Sequence, residues 1–334
     1  MTRTAYVAQK GAVVRREGEL LNVYVGGKRE GQIAVHDLAQ IVLMGNVLLT
    51  PGALDLLIER RVDTVLLTLH GKYRARLVGP GSHHITLRIA QYETLRDAGR
   101  ALGIAKAVVR GKIANQRTLL MRHARQGGEE SLRRACVSMQ AAGERLELAG
   151  TLDEARGCEG SAAAAYFRVF GALIKKEGFR FDGRNRRPPM DPVNALLSLG
   201  YTFLANAVEA AVHVVGLDAY LGALHAPEAG RPSLVCDLEE EFRAPVVDAL
   251  VLAAIHREAV VAGDFEDAGE GEPVVMKPEA VKTMARLFER RLARPVRYER
   301  LGVRLPWRQV IEQQARAMAR CFLKGEPYEA FTPR

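Results

Sequence analysis

The chain has 334 residues, 48% of them hydrophobic and 26% charged, which excludes a disordered or collagen-like polymer and leaves room for two domains. Forty-eight Lys and Arg against 39 Asp and Glu give a net charge of +9, an excess that points to a polyanionic partner. Four scattered cysteines without a CxxC pair argue against a zinc ribbon and a disulfide framework. The apolar runs are broken by Gly, Asn or charge well short of the ~18 consecutive residues of a membrane span, and the first residues lack the pattern of a signal peptide. A cytoplasmic protein with no membrane association is expected.

Residues 1–80 read as a small β domain. Leu20–Val25, Gln32–Val35, Ala39–Met44, Thr64–Leu69 and Arg74–Val78 are short apolar segments punctuated by glycine, as in Gly26-Gly27. One helix interrupts them, with Thr50 as N-cap and Pro51 at its first position. Such a small apolar domain is expected to hide its faces and edges in a dimer.

After Gly79-Pro80-Gly81 the period changes. Leu87–Arg125, Glu130–Leu148, Asp153–Glu177, Pro192–Val215, Leu234–Ala262, Pro278–Leu292 and, more weakly, Arg304–Lys324 carry apolar residues three and four apart. Residues 81–334 are therefore expected to form a mostly helical domain with almost no strand. The fold class is α+β, β first and α second.

Basic charge is concentrated. Arg88 to Arg125 holds nine Lys and Arg against two acids, and Arg286 to Arg320 holds ten Arg against three. Arg286, Arg290 and Arg294 fall on one helical face, and Pro295 is expected to end that helix. Either run is a solvated face or a track for phosphates, and two runs in one chain favour nucleic acid. No GxxxxGK[ST], strand-to-helix GxGxxG or GxSxG motif is present, so use of ATP or NAD has no support.

Three polar contexts carry possible chemistry. Glu159 sits in Cys158-Glu159-Gly160-Ser161, inside a helix of otherwise small and apolar residues. His225 is expected at a helix end and turn start. Asp237, Glu240 and Glu241 in Asp237-Leu238-Glu239-Glu240-Glu241-Phe242-Arg243 have the spacing of one helical surface. Taken singly, each reads more readily as a cap, an ion pair or a solvated acid than as a site.

Together they resemble a family. Asn194-Ala195-Leu196-Leu197-Ser198-Leu199-Gly200-Tyr201, Leu224-His225 and the string from Ser233 to Asp248 are similar to the CRISPR-associated integrase/endonuclease, the near-universal first protein of spacer acquisition. Gly157–Gly160 with Tyr166-Phe167, Lys112–Arg117 and the segment 45–53 extend the likeness over essentially the whole chain. The resemblance implies metal ligands at Glu159, His225 and Glu240, which would also be the catalytic residues, with Asp237 in an accessory place beside them. Glu239 stands where the family often has Met and is expected to be exposed and without effect. The resemblance further implies a homodimer, two copies of which are bridged by a small second CRISPR-associated protein, acting on double-stranded DNA with single-stranded ends and on CRISPR repeat DNA.

Two carboxylates and an imidazole suit Mg²⁺ or Mn²⁺ and leave positions open for phosphate. Lys112, Arg184, Arg186, Arg187, Arg243, Arg286 and Arg290 are the candidate DNA contacts. The expected function is insertion of short DNA fragments at repeat boundaries by 3′-hydroxyl transesterification. A branched-DNA nuclease of repair and a non-catalytic DNA-binding scaffold are the alternatives.

Overall fold

Gly26 and Gly27 both have positive φ (56° and 83°), the conformation that a two-residue hairpin matching strand twist requires. They join β3 (Leu20–Val25) to β4 (Lys28–Ala34) in antiparallel register, Val25 opposite Lys28. The computed structural model describes residues 3–69, 73–77, 85–127, 129–185, 188–266, 269 and 272–333. The hairpin continues through β2 (Val13–Glu17) to β6 (Leu48–Leu49), giving the sheet order β4-β3-β2-β6. A second sheet is built from β1 (Arg3–Val7), β5 (Leu38–Met44), β7 (Asp63–Leu67) and β8 (Tyr73–Leu77) in the order β1-β5-β7-β8. Its first two pairings are parallel and the last is antiparallel. Helix α1 (Pro51–Glu59) crosses between β6 and β7. Thr50 precedes Pro51 as expected, but its hydroxyl donates to the Val14 carbonyl (3.2 Å) and does not cap the helix.

Strand β5 is buried on both faces, which explains its unbroken apolar sequence Ile41-Val42-Leu43-Met44. Ile41 and Leu43 join Val14, Leu21, Leu56 and Leu57 in a core between the two sheets and α1. Val42 and Met44, with Val65 and Leu67 of β7, face the other way into the core of the helical region. That second face is thus covered by the chain's own helices, where the sequence suggested a second copy. Arg76 ties the sheet down further. It pairs with Asp63 (2.8 Å) and with Glu209 and donates to the Asn206 carbonyl (3.0 Å).

The helical region follows: α2 (Ile85–Arg96), α3 (Ala98–Gly127), α4 (Glu130–Leu148), α5 (Leu152–Phe170), α6 (Pro192–Val215), α7 (Ser233–Phe242), α8 (Ala249–His256), α9 (Pro278–Ala293) and α10 (Trp307–Lys324). The single helix expected over 87–125 is broken where the Asp97 carboxylate accepts from Arg100 N (2.9 Å) and starts α3. Thr151 and Glu154 form a capping box at the start of α5, and that helix stops at Phe170, short of the expected Glu177. Helix α6 starts from Asp191, whose carboxylate accepts from Asn194 N (2.8 Å), and ends at Gly216 with φ 92°. Its 24 residues are long and apolar enough to cross a membrane, but 67% of the apolar window is buried inside the fold, as befits the central core helix.

The helix expected over 234–262 is interrupted by a π turn at Arg243–Asp248. Pro245 lacks the N–H that an α-helix would donate to the Glu241 carbonyl, and Asn115 Nδ2 donates to that carbonyl instead (2.6 Å), while Arg291 donates to the carbonyl of Pro245. Strand is also less scarce than expected. Two short antiparallel pairs form, β9 (Phe265–Glu266) with β10 (Val275–Met276) and β11 (Pro295–Tyr298) with β12 (Val303–Pro306). Arg294 has extended backbone (φ −70°, ψ 133°) at the end of α9, so it leaves the stripe formed by Arg286 and Arg290.

Candidate active site

Asp237, near the middle of α7, is fully buried and spends both carboxylate oxygens on the loop before it. Oδ2 accepts from Ala223 N (2.6 Å) and Leu224 N (3.0 Å), and Oδ1 accepts from His225 N (3.0 Å). His225 therefore belongs to an irregular loop between α6 and α7 folded onto a helix, and does not stand at a helix end as expected. The same Oδ1 lies 2.7 Å from His225 Nδ1. An ionised carboxylate only accepts, so Nδ1 carries the proton and the lone pair is left on Nε2. Gly222 makes this possible. A Cβ there would lie 2.6 Å from the Ser233 carbonyl carbon and 2.7 Å from Asp237 Oδ2.

Nε2 of His225 points toward Glu240, 3.8 Å from Oε1. Glu240 is nearly fully buried, at 2% exposure, between two cations. Arg243 Nη1 lies 2.9 Å from its Oε1, and Lys112 Nζ lies 2.7 Å from its Oε2. Burial alone would raise the Glu240 carboxyl, but Arg243 and Lys112 outweigh it and pull it down to about 2. Lys112, on α3, also donates to Glu159 Oε1 on α5. One ammonium thus joins two carboxylates from elements far apart in sequence, and the Glu159 side chain keeps 25% of its surface open to solvent.

The structure brings Glu159, His225, Asp237 and Glu240 into one cluster and places Lys112 and Arg243 inside it. Glu239, expected to be exposed, is 4% exposed and paired with Arg243. Burial raises the Glu239 carboxyl, against the pull of Arg243. Glu241 does not share the site surface with Asp237 and Glu240. It turns to the C-terminal segment, where it accepts from the Tyr328 hydroxyl (2.7 Å), Gln314 Nε2 (3.1 Å) and Phe331 N.

A supporting layer escaped the sequence analysis. The guanidinium of Arg243 stacks on Tyr201 at 5.1 Å and that of Arg184 on the same ring at 5.4 Å. The Tyr201 hydroxyl donates to Asp248 (2.6 Å), as does that of Tyr166 (2.7 Å). Burial lifts the Asp248 carboxyl to about 6 despite those two donors. Arg184 also donates to Asn194 Oδ1 (2.6 Å) and Ser198 Oγ (3.1 Å), so it braces α6. Arg186 and Arg187 lie outside the described residues. Arg286 and Arg290 line a cleft of about 700 Å³ between α9 and β1, with Lys282, Glu279, Glu289 and Tyr6.

The donor set suits a divalent cation. Asp237, Glu239, Glu240 and Glu159 against Lys112 and Arg243 leave the cluster with a formal excess of two negative charges. Glu240 Oε2 has the Lys112 ammonium, 2.7 Å away, as its ion-pair partner. Among the described residues, no three acidic, His or Cys side chains already grip a common point. A positive charge, the Lys112 ammonium, stands between the two glutamates instead.

The sequence profile described as CRISPR associated protein Cas1 matches residues 5–290. The chain is 35% identical to CRISPR-associated endonuclease Cas1 2 of Rhodospirillum rubrum, over 100% of this chain and 98% of that protein. Among solved structures, a casposase bound to integration product superposes with a TM-score of 0.86 at 25% identity, covering 99% of this chain and 93% of that one. A chain of a Cas6-RT-Cas1--Cas2 complex shares the fold at a TM-score of 0.82 and 23% identity, covering 99% of this chain and 36% of that one. A β-then-α fold is what the sequence resemblance implied, and with these matches over its length the chain belongs to the Cas1 family of CRISPR-associated proteins.

Proposed function

We propose that the chain is a metal-dependent DNA endonuclease and integrase of CRISPR adaptation, which joins the 3′ ends of short DNA fragments to repeat boundaries. The observation that supports this is that Glu159 and Glu240, from separate segments, meet at the Lys112 ammonium, with His225 Nε2 3.8 Å from Glu240 Oε1. Glu159, His225 and Glu240 are the proposed metal ligands and catalytic residues. Bound there, Mg²⁺ or Mn²⁺ neutralises charge developing on the phosphoryl oxygens and lowers the pKa of the attacking hydroxyl. The chain's own residues prepare the site. Asp237 fixes the histidine tautomer and aims Nε2, and Arg243 holds Glu240 ionised. The fragment's 3′-oxygen attacks phosphorus and loses its proton. A new P–O bond forms as the bond to the outgoing 3′-oxygen breaks, and that oxygen takes up a proton. No protein–DNA covalent link is required.

The DNA is proposed to be double-stranded with single-stranded ends, steered by Arg286, Arg290 and their neighbours. A homodimer formed through residues 1–80, a bridging small second CRISPR-associated protein and a cytoplasmic location belong to the same proposal. They rest on the family resemblance, and the fold shared with the Cas6-RT-Cas1--Cas2 chain is compatible with them. The test is strand transfer of a short duplex with free 3′ ends into a repeat-containing plasmid. Joined product that needs Mn²⁺ or Mg²⁺ and vanishes in Glu240→Gln supports the proposal. Metal-independent DNA binding with no product would favour a scaffold, and cleavage of branched DNA without joining would favour a repair nuclease.

A further inference from the structure

We infer that Lys112 is a built-in exchangeable counter-ion. Its ammonium holds Glu159 and Glu240 together in the metal-free protein and must leave when a divalent cation enters. This rests on the metal reading proposed above.

Two carboxylates this close, one of them buried, repel strongly unless a cation lies between them. Two cations touch Glu240, and the structure distinguishes them. Arg243 is committed on several sides, to Glu240 Oε1 at 2.9 Å, to Glu239 and to the Tyr201 ring. Lys112 has the two site glutamates as its ion-pair partners, and among the described residues no aromatic ring or third carboxylate lies against it. The lysine stem is flexible, and the Glu159 side of the cluster opens to solvent, so the ammonium has an exit.

The backbone that carries it has no such freedom. Asn115, on the next turn of α3, donates to the Glu241 carbonyl (2.6 Å) and to the Phe331 carbonyl (2.8 Å). Ala330 packs so closely on Gly111 that a side chain there would collide with it. Exchange therefore takes a rotation of one side chain with α3 held in place. The lysine keeps the empty site assembled, and metal affinity is reduced by the strength of the ion pairs that must be broken.

The experiment is calorimetric titration of Mn²⁺ into the full-length chain and its Lys112→Met, Lys112→Arg and Glu240→Gln variants. Lys112→Met should bind Mn²⁺ about tenfold more tightly than the parent, and its melting temperature without metal should drop. Lys112→Arg keeps the charge and should bind no more tightly than the parent. In the unaltered protein, reductive methylation read by mass spectrometry should label Lys112 poorly without metal and readily with Mn²⁺. Loss of binding in Glu240→Gln, without tightening in Lys112→Met or a labelling change, would overturn the inference while leaving the metal site standing. Equal labelling with and without Mn²⁺ would overturn it even if Lys112→Met does not fold. Unchanged Mn²⁺ binding in Glu240→Gln would remove the metal reading and the inference together.

Discussion

Replacing Asp237 by Asn changes one atom and should disable the site by shifting a proton. Asp237 now meets four donors: the backbone N–H groups of Ala223, Leu224 and His225, and His225 Nδ1 at 2.7 Å. An asparagine offers one acceptor oxygen. Placed at the Oδ2 position, that oxygen keeps Ala223 and Leu224, and the amide NH₂ then faces the His225 N–H, donor against donor. The same NH₂ faces Nδ1, which can only accept from it, so the imidazole proton moves to Nε2. One buried N–H loses its partner, at ~1–3 kcal/mol, and the retained bonds lose charge assistance. The total is about 3 kcal/mol of stability, read as a shift in the urea midpoint. With Nε2 protonated, its lone pair is no longer available, and Mn²⁺ affinity measured by calorimetry should fall ~10–100-fold, the usual effect of losing a ligand's orienting partner. A variant that loses under ~1 kcal/mol and binds Mn²⁺ like the parent would refute the assignment of Asp237 as the residue that sets the tautomer.

Other perturbations test other parts of the account. Gly222→Ala places a Cβ 2.6 Å from the Ser233 carbonyl carbon, so the loop carrying His225 must shift, and both melting temperature and Mn²⁺ affinity should fall. Arg286→Ala with Arg290→Ala should weaken duplex binding in fluorescence anisotropy and make log K against log salt shallower by ~0.9 per lost phosphate contact; an unchanged slope would remove the α9 cleft from the DNA path. Burial holds the Glu241 carboxyl up to about 8 against its three donors. The folded chain thus keeps a proton that the unfolded chain releases near ~4.3. This stabilisation is full below that value, declines as pH rises and is gone once pH passes about 8. Glu241→Gln cannot titrate, so between pH 5 and 8 its unfolding free energy should lose up to ~1.4 kcal/mol less per pH unit than the parent's. Parallel profiles in urea unfolding would refute this.

Local chemistry made much of the architecture legible. Gly26-Gly27 fixes a hairpin, Asp191-Pro192 starts α6, and the apolar period of Glu130–Leu148 becomes α4 with the same ends. Where periodicity misled, another interaction was stronger. Strand β2 reads Val-Val-Arg-Arg-Glu, and its charged half, exposed to solvent, hides the strand pattern. At the π turn Pro245 interrupts the helical ladder, and partners distant in sequence take up the carbonyls, Asn115 that of Glu241 and Arg291 that of Pro245.

The site was less legible than the fold. Glu159 and Glu240 are 81 residues apart, and no spacing rule connects them; the family resemblance alone put them together. Helical geometry grouped Glu241 with Asp237 and Glu240, but the donors of Tyr328, Gln314 and Phe331 claim it. Glu239 read as an exposed acid because the sequence does not show that Arg243 folds against it. The pairing of Lys112 with Glu159 and Glu240 was likewise out of reach: a sequence displays a charge but not the charge that it meets when buried.

The most direct test of the central claim measures DNA affinity and strand joining side by side in Glu159→Ala, Glu240→Ala and the parent. Both variants remove a proposed ligand and a negative charge, while the basic residues that hold phosphate remain. Anisotropy in metal-free buffer should show affinity equal to or slightly above the parent's, and Mn²⁺-dependent joining on a gel should disappear. Full Mn²⁺-dependent joining by Glu159→Ala would contradict the site, and loss of DNA binding together with joining would mean that Glu159 holds the fold and not the metal.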